Sequence, residues 1–259
     1  MLDLVTFYVM GPDSVPSGEK GNFYVTMKDW PAVNTVNYYL TPQMTLEPYP
    51  HSYPTSTVSF MYDPKNPTPT IGGSNLMIPT CGPYDQRSNE IRKDNIIFTS
   101  AILEKKMELV GRMSITLVVS SNCTDTDFVV RLSDVYPDGR SMLLSDSIQR
   151  MRWRESSTTK VLMLPGQFYK ITIDLWPTAY IFNVGHSIRV AITSSNYPRF
   201  SVNPNNGLDL NEKGELINAL NSIRIDGQSS FLSLPQLVDP IILGKSRIES
   251  EKVMAAFRK

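Results

Sequence analysis

Short runs of β-branched and aromatic residues, separated by turn sequences, recur along almost the whole chain. Residues 113–121 (MSITLVVSS) and 127–132 (DFVVRL) are the clearest pair, and this composition is typical of β-strands. The segment YPDG at 136–139 predicts a tight reversal, because Pro and Asp begin turns that Gly completes. Many short strands joined by such turns predict an all-β fold, specifically an antiparallel jelly-roll β-sandwich.

The period of the apolar residues predicts which side of one strand is buried. In residues 187–192 the alternation places Ile188, Val190 and Ile192 on one face. The next serines, Ser194 and Ser195, are interpreted as strand surface and turn.

Helical patterns are sparse. Residues 211–220 predict one short helix, and residues 246–259 (SRIESEKVMAAFRK) predict a C-terminal helix with a weak apolar stripe, which is typical of a loosely docked end. All-β sandwiches reach roughly 200–250 residues as one unit. The 259 residues therefore predict a single sandwich over residues 1–240, followed by a helical tail over residues 241–259.

The composition argues against several classes of partner. The formal net charge is zero, which disfavours nucleic acid or an acidic membrane as the main partner. No basic, apolar leader opens the sequence and no run approaches the ~18 apolar residues of a membrane-spanning helix, so the cytoplasm is favoured.

Cys81 and Cys123 are far apart and lack the spacing of a metal site. A single disulfide between them stays open.

The sequence lacks a recognisable set of catalytic groups. Serine hydrolysis needs a nucleophile, a base and an orienting acid, yet the only histidines are His51, in a Pro-rich stretch, and His186, at the entry to a strand. Both are interpreted as loop histidines that are solvated or capped. The elbow motif G-x-S-x-G is absent. Asp125 and Asp127 are interpreted as a charged strand end, since they lack the Gly and Glu of a calcium loop. The sequence predicts no catalytic residue, metal site or cofactor.

The three tryptophans raise one alternative. Trp30, Trp153 and Trp176 lie in different segments, and packing in the core or between sheets is the expected role for each. Because jelly rolls also occur as sugar-binding modules, stacking of a carbohydrate on an exposed ring stays open by analogy of fold.

A series of landmarks resembles one family. They are, in order, YVMG at 8–11, DWP at 29–31, YDP at 62–64, PTIGG at 69–73, GPYDQR at 82–87 with Glu90 and Arg92, FTS at 98–100, DTDF at 125–128, DVYPDG at 134–139, IDLWPTA at 173–179, Gly185-His186, SSNYPRF at 194–200 and NPN at 203–205. Together they resemble the C-terminal β-domain of the Xaa-Pro dipeptidyl-peptidase and cocaine-esterase (CocE/NonD) serine hydrolases over about residues 4–238. Residues 11–22 form a longer loop than is usual there, and GQSSF at 227–231 lacks a histidine that the family tends to show near the last strand.

The resemblance implies a supporting role and not a catalytic one. In this family the catalytic serine, aspartate and histidine belong to a preceding α/β-hydrolase domain, and the β-domain is a non-catalytic sandwich similar to galactose-binding domains. The expected partner is therefore such a hydrolase domain or subunit, for an acyl esterase or a peptidase. Whether the chain itself counts as an enzyme stays open, as does a homo-oligomer.

Two groups of residues follow from these landmarks as candidate sites. The region of residues 82–92 is the expected contact with the hydrolase domain, and its side chains are Tyr84, Asp85, Arg87, Glu90 and Arg92. The alternative for these residues is an internal network that braces the loop. Three further residues are expected to hold a loop in place, namely Trp176, Arg199 and Asn203. Two other functions stay open: an independent binding module, for carbohydrate above all, and an autonomous hydrolase.

Overall fold

A computed structural model describes residues 2–12, 21–76, 78–209, 212–239 and 242–257. The strands within these ranges are β1 Val5–Val9, β2 Phe23–Met27, β3 Val33–Leu40, β4 Thr45–Glu47, β5 Thr57–Tyr62, β6 Ile96–Ser100, β7 Met107–Ser121, β8 Asp127–Val135, β9 Ser141–Arg150, β10 Tyr169–Phe182, β11 Ser187–Thr193, β12 Ala219–Arg224, β13 Phe231–Leu237 and β14 Arg247–Ile248. The helices are α1 Arg87–Glu90, α2 Ile242–Lys245 and α3 Ser250–Phe257, with a 3₁₀ turn at Met151–Trp153. The expected mostly-β architecture with a short C-terminal helix is confirmed.

Eleven strands form one continuous hydrogen-bonded sheet that folds over into the two layers of a β-sandwich. The order is β5-β12-β7-β13-β3-β4-β6-β11-β8-β9, and β10 pairs with β7. These pairings are antiparallel except for β4 with β6. The short β4 is the crossing between the layers. One layer therefore centres on β7 and β10, and the other on β11 and β8.

The main core lies between these layers. In β7 the inward residues are odd-numbered and include Ile115 and Leu117, and they meet apolar residues of β8 and β11. Ile188, Val190 and Ile192 are fully buried there, so the face predicted from their alternation is confirmed.

A three-stranded sheet, β1-β2-β14, covers part of the outer surface and creates a second apolar cluster. Val25 of β2 packs there with Val110 of β7 and Ile181 of β10. The C-terminal tail takes part, because β14 pairs with β2 and the side chains of Leu243 and Val253 are buried. The tail is thus docked by apolar contacts, although its division from the sandwich at residue 240 stays a prediction.

The helix predicted for residues 211–220 is wrong for the described residues 212–220. Ala219 and Leu220 begin β12, residue 212 lies in a bend, and residues 213–218 have no regular secondary structure. The backbone of Ile217 explains this, since its N–H donates to the Pro204 carbonyl at 3.0 Å and its carbonyl accepts from Asn205 Nδ2 at 2.6 Å. A helix would break both bonds. In the described part of the chain, no helix has the length and apolar character that crossing a membrane requires.

Candidate functional site

The two histidines have unlike surroundings, and only one matches its prediction. His51 lies in an exposed loop, as expected. His186 was expected at a solvated or capped loop, but it is buried, and its Nδ1 lies 2.8 Å from Asp134 Oδ1. The prediction failed because the partner lies on the neighbouring strand β8, where Asp134 pairs with Ile188.

The carboxylate of Asp134 is fully used by its neighbours. Its second oxygen accepts a 2.8 Å hydrogen bond from the Tyr180 hydroxyl. The ring of Tyr136 packs beside that of His186, with ring centroids 4.7 Å apart. Burial, and after it the Asp134 carboxylate, raises the pKa of Tyr180 well above its ordinary value. Across the described ranges no serine hydroxyl is bonded to either histidine ring, so this Asp–His pair lacks the nucleophile of a triad.

A buried ionic cluster replaces the charged strand end predicted for Asp125 and Asp127. The Asp125 carboxylate accepts hydrogen bonds from the backbone N–H and from the Nε of Arg152, both at 2.8 Å. The Asp127 carboxylate accepts from the Nε and from a terminal nitrogen of Arg150, both at 2.8 Å. Asn203 Nδ2 donates to both carboxylates, at 2.9 and 2.8 Å. Burial raises the pKa of Asp127, while Arg150 opposes that shift. No group of three or more potential metal ligands occurs in the part of the chain that is described.

A second buried cluster lies around Arg131, on β8. Its guanidinium donates to Asn196 Oδ1 at 3.0 Å, and Asn196 Nδ2 donates to Asp146, which is also paired with Arg199 at 3.0 Å. Burial lowers the pKa of Arg131 to about 10. Gly73 lies against this cluster, since a Cβ built there would stand 2.9 Å from Arg199. Arg199 and Asn203 thus have the contacts that loop bracing requires, and that role stays a prediction.

The five residues of the predicted contact region divide into two groups. Tyr84 is 44% exposed and the Arg87 side chain 54%, so both are accessible at the surface. Glu90 points inward, where it accepts from Ser141 Oγ at 2.5 Å and pairs with Arg189 at 2.7 Å. Arg92 donates to Asp94 and to the carbonyl of Asn66.

Asp85 joins the two groups. Its carboxylate accepts from Arg87 Nε at 2.8 Å and from the N–H of Ser141 at 3.1 Å. Partial burial acts to raise its pKa, but these hydrogen bonds prevail and hold the pKa of Asp85 below its ordinary value. The region therefore contains both an accessible pair, Tyr84 and Arg87, and an internal bracing network.

The expected core packing of the tryptophans is wrong for all three. Trp176 is 62% exposed, Trp30 is 63% exposed, and Trp153 lies at the surface of its 3₁₀ turn. Trp30 packs on Phe7, with ring centroids 5.3 Å apart, beside the small sheet. Trp153 points outward because the other two residues of its turn, Met151 and Arg152, are buried.

Trp176 is exposed because a bulge interrupts β10. The pairing of Asp174 with Ser114 is followed by that of Pro177 with Arg112, so Leu175 and Trp176 together oppose Met113. Trp176 has φ +69°, a conformation that costs a residue with a Cβ about 1–2 kcal/mol. Asp174 Oδ1 accepts the Trp176 N–H at 2.9 Å, and Ser145 Oγ donates to the Leu175 carbonyl.

Ser194 and Ser195, which follow β11, are buried and do not lie at the strand surface as predicted. Ser195 Oγ accepts from the Thr68 N–H at 2.8 Å, and Ser194 Oγ accepts from Asn221 Nδ2 at 2.7 Å. Both hydroxyls are therefore engaged in holding neighbouring segments together. The cysteines form no disulfide: Cys81 is exposed and Cys123 is buried.

A comparison with known protein families identifies the family of this β-sandwich. The family described as the X-Pro dipeptidyl-peptidase C-terminal non-catalytic domain matches residues 8–231. The chain belongs to this family. Its buried Asp134–His186 pair and its ionic clusters are accordingly parts of the scaffold of an X-Pro dipeptidyl-peptidase C-terminal domain.

Similar proteins agree with this assignment. The cocaine esterase of a Rhodococcus species is 40% identical over 153 residues, which are 59% of this chain and 27% of that protein. An aminopeptidase from a Thaumarchaeota archaeon has a TM-score of 0.75 at 21% identity, over 84% of this chain and 39% of that one. An α-amino acid ester hydrolase has a TM-score of 0.74 at 24% identity, over 83% and 39%. The chain thus spans well under half the length of each.

Two of the features that sequence reasoning missed in this domain differ in whether a local signal marks them. One is the burial of His186 by Asp134, two residues that are 52 positions apart and have no local signal in common. The other is the bulge at Trp176. A change in the parity of the apolar positions marks it, because Ile171 and Ile173 are odd-numbered whereas the core residues after it, Tyr180 and Phe182, are even-numbered.

Proposed function

We propose that this chain is the supporting β-sandwich of a serine hydrolase that cleaves acyl bonds, and that an α/β-hydrolase domain or subunit packs against it. The observation that carries the proposal is the match of residues 8–231 to a non-catalytic domain family. The similar proteins are named as an esterase, an ester hydrolase and an aminopeptidase, all of which act on ester or peptide bonds. Their common chemistry supports an acyl bond as the target without choosing between ester and peptide.

The interior of the sandwich fits this supporting role. The Asp125 carboxylate, for example, accepts hydrogen bonds from Arg152 and Asn203, so it is not free to act as a base or as a ligand. Such clusters fix the loops at one end of a sandwich in a single arrangement. The proposal assigns them the role of holding a rigid surface against the hydrolase domain.

Tyr84 and Arg87 are the first candidates for contact with that domain. Both are accessible, and Tyr and Arg are residue types that frequently dominate protein interfaces. Glu90 and Arg92 then act indirectly, because their partly buried hydrogen bonds hold α1 and the loop on which Tyr84 and Arg87 are presented. Homo-oligomerisation stays a separate prediction.

The test has a catalytic and a binding part. The purified chain should hydrolyse neither p-nitrophenyl esters nor dipeptidyl amides above the rate of a boiled control. Immobilised chain should retain, from a lysate of its source organism, a protein labelled by a fluorophosphonate and identified by mass spectrometry as an α/β-hydrolase. The double variant Tyr84→Ala/Arg87→Ala should retain less of it, whereas Tyr49→Ala, at an exposed loop residue, should not.

Two outcomes would overturn the proposal. Hydrolysis by the chain alone that a fluorophosphonate abolishes would make it an autonomous hydrolase. Retention of soluble oligosaccharides, together with no retained active-serine protein, would make it an independent carbohydrate-binding module.

A further inference from the structure

Trp176 occupies a backbone position that folding alone does not favour for a tryptophan. It is the extra residue of a β-bulge and has a positive φ of 69°. Glycine adopts this conformation without a steric penalty, whereas any side chain with a Cβ is strained there. A large side chain at such a position indicates a role for the side chain itself.

The indole makes little use of its own chain. It is 62% exposed, and among the described residues no aromatic ring or arginine stacks on it. Trp30 is a useful contrast, since it is exposed to the same degree but packs on the ring of Phe7. Trp176 therefore contributes less to the fold than its size allows, and most of its apolar surface faces away from the sandwich.

The backbone under Trp176 is held firmly in spite of the strain. The Trp176 N–H donates to Asp174 Oδ1 at 2.9 Å, the carbonyl of the preceding Leu175 accepts from Ser145 Oγ, and Pro177 follows. The ring is thus presented from a fixed point on a long strand. A rigid aromatic side chain loses little conformational freedom on binding, which favours affinity.

The residues beside Trp176 are of types that are common in protein contacts. Arg112 pairs with Asp174 beside the bulge at 2.5 Å, and both side chains are mostly exposed. Trp and Arg are the residue types enriched at the energetic centre of protein interfaces. The similar proteins have more than 60% of their length outside the part that this chain covers, so a large further domain is available to occupy this surface in proteins of this kind.

We propose that Trp176 is an anchor residue through which the β-sandwich docks on the α/β-hydrolase domain. The inference rests on the proposed function and adds a contact surface that the predicted region around Tyr84 does not include. The indole enters an apolar recess of the hydrolase domain, and Arg112 and Asp174 form the polar rim of the contact.

The experiment uses the purified complex of this chain with the active-serine protein. Titration by biolayer interferometry compares wild type with Trp176→Ala and Trp176→Gly, and Tyr49→Ala is the matched variant at another exposed aromatic residue. The Trp176 variants should bind at least about 30-fold more weakly, and the melting temperature of Trp176→Gly should stay within about 4 °C of that of the wild type. Tyr49→Ala should bind as the wild type does. Hydroxyl-radical oxidation of Trp176 should fall in the complex, while that of Trp30 should not.

Each other outcome overturns the inference in a recognisable way. Equal binding by wild type and the Trp176 variants, or unchanged oxidation of Trp176, removes the anchor but leaves the proposed function in place. Absence of any complex with an active-serine protein removes both. Loss of oligosaccharide binding in Trp176→Ala, in place of loss of the hydrolase complex, assigns the ring to a carbohydrate site.

Discussion

The two halves of strand β10 belong to one sheet but have different surroundings. Before the bulge, Ile171 and Ile173 face the main core and the alternate residues face solvent. After the bulge, Tyr180 and Phe182 face the main core while Ile181 enters the second cluster, beneath the small sheet. One half is therefore buried on one face and the other half on both. The extra residue of the bulge therefore separates the half of β10 that has a solvent-exposed face from the half that is buried on both faces.

The two halves of β10 differ in what they can contribute to the protein. A strand buried on both faces can only support the fold, whereas one with an open face can also meet a partner. Trp176 lies at the boundary between the two halves, where the strand leaves the cover of the small sheet. The following substitutions measure how different the halves are.

The largest effect is expected at Ile181, on the outer face of the covered half. Ile181→Ala should lower the free energy of unfolding by about 3 kcal/mol, because it leaves a cavity between the sheets. Lys170→Ala, on the outer face of the open half, should change it by less than about 0.5 kcal/mol. Urea denaturation of both variants measures the difference, and similar costs at the two sites would show that the small sheet does not cover β10.

A smaller loss is expected at Tyr180, on the inner face of the covered half. Tyr180→Phe removes the hydroxyl that donates to Asp134 and leaves a buried carboxylate oxygen without that donor. The expected cost is about 1–3 kcal/mol at neutral pH. An undiminished free energy of unfolding would mean that Asp134 does not depend on this hydrogen bond.

The same variant should change the response to alkaline pH. Burial, and after it the Asp134 carboxylate, raises the pKa of Tyr180 in the folded state. The stabilisation is fully present below the unfolded pKa of about 10 and is lost as the pH rises from there through the raised folded-state pKa. The difference in unfolding free energy between wild type and Tyr180→Phe should therefore be constant up to about pH 9 and should shrink as the pH rises above about 10. A constant difference would contradict the assigned ionisation.

Sequence periodicity predicted the fold wherever one rule applied to a whole strand. In β11 the apolar residues alternate without interruption, so the buried face of Ile188 and Ile192 followed directly. In β10 the bulge reverses the alternation, and a single periodic pattern across it cannot assign Trp176 to the surface. The resemblance to the family supplied the architecture and the supporting role, since its landmarks extend over most of the chain.

The polar interior could not be predicted from local sequence. Asp134 and His186, like Asn203 and Asp125, are brought together by strand pairing and loop closure over 52 and 78 positions. Each of these residues, taken alone, is of a type that is common in turns and at strand ends. Their burial depends on a partner that only the folded chain supplies.

At the boundary between the halves, removing the largest side chain should have almost no effect on stability. Trp176→Gly relieves the strain at φ +69° but increases the freedom of the unfolded chain. The two effects nearly cancel, so the free energy of unfolding should change by less than about 1 kcal/mol in either direction. A loss above about 2 kcal/mol would mean that the indole packs on its own chain, and the matched variant Trp30→Ala, which loses the stacking on Phe7, should be the more destabilised of the two.

The smallest effect is expected for the ion pair beside the bulge. Arg112 and Asp174 are 74% and 54% exposed, so their attraction is screened by water and salt. Arg112→Ala should lower the free energy of unfolding by no more than about 0.5 kcal/mol, and the loss should vanish in 1 M NaCl. Arg152→Ala, which breaks the buried pair with Asp125, should cost several times more and should keep that cost in salt. If instead Arg112→Ala weakens the complex with the hydrolase domain while leaving stability unchanged, the open half of β10 is a contact surface whose polar groups are retained for binding and not for folding.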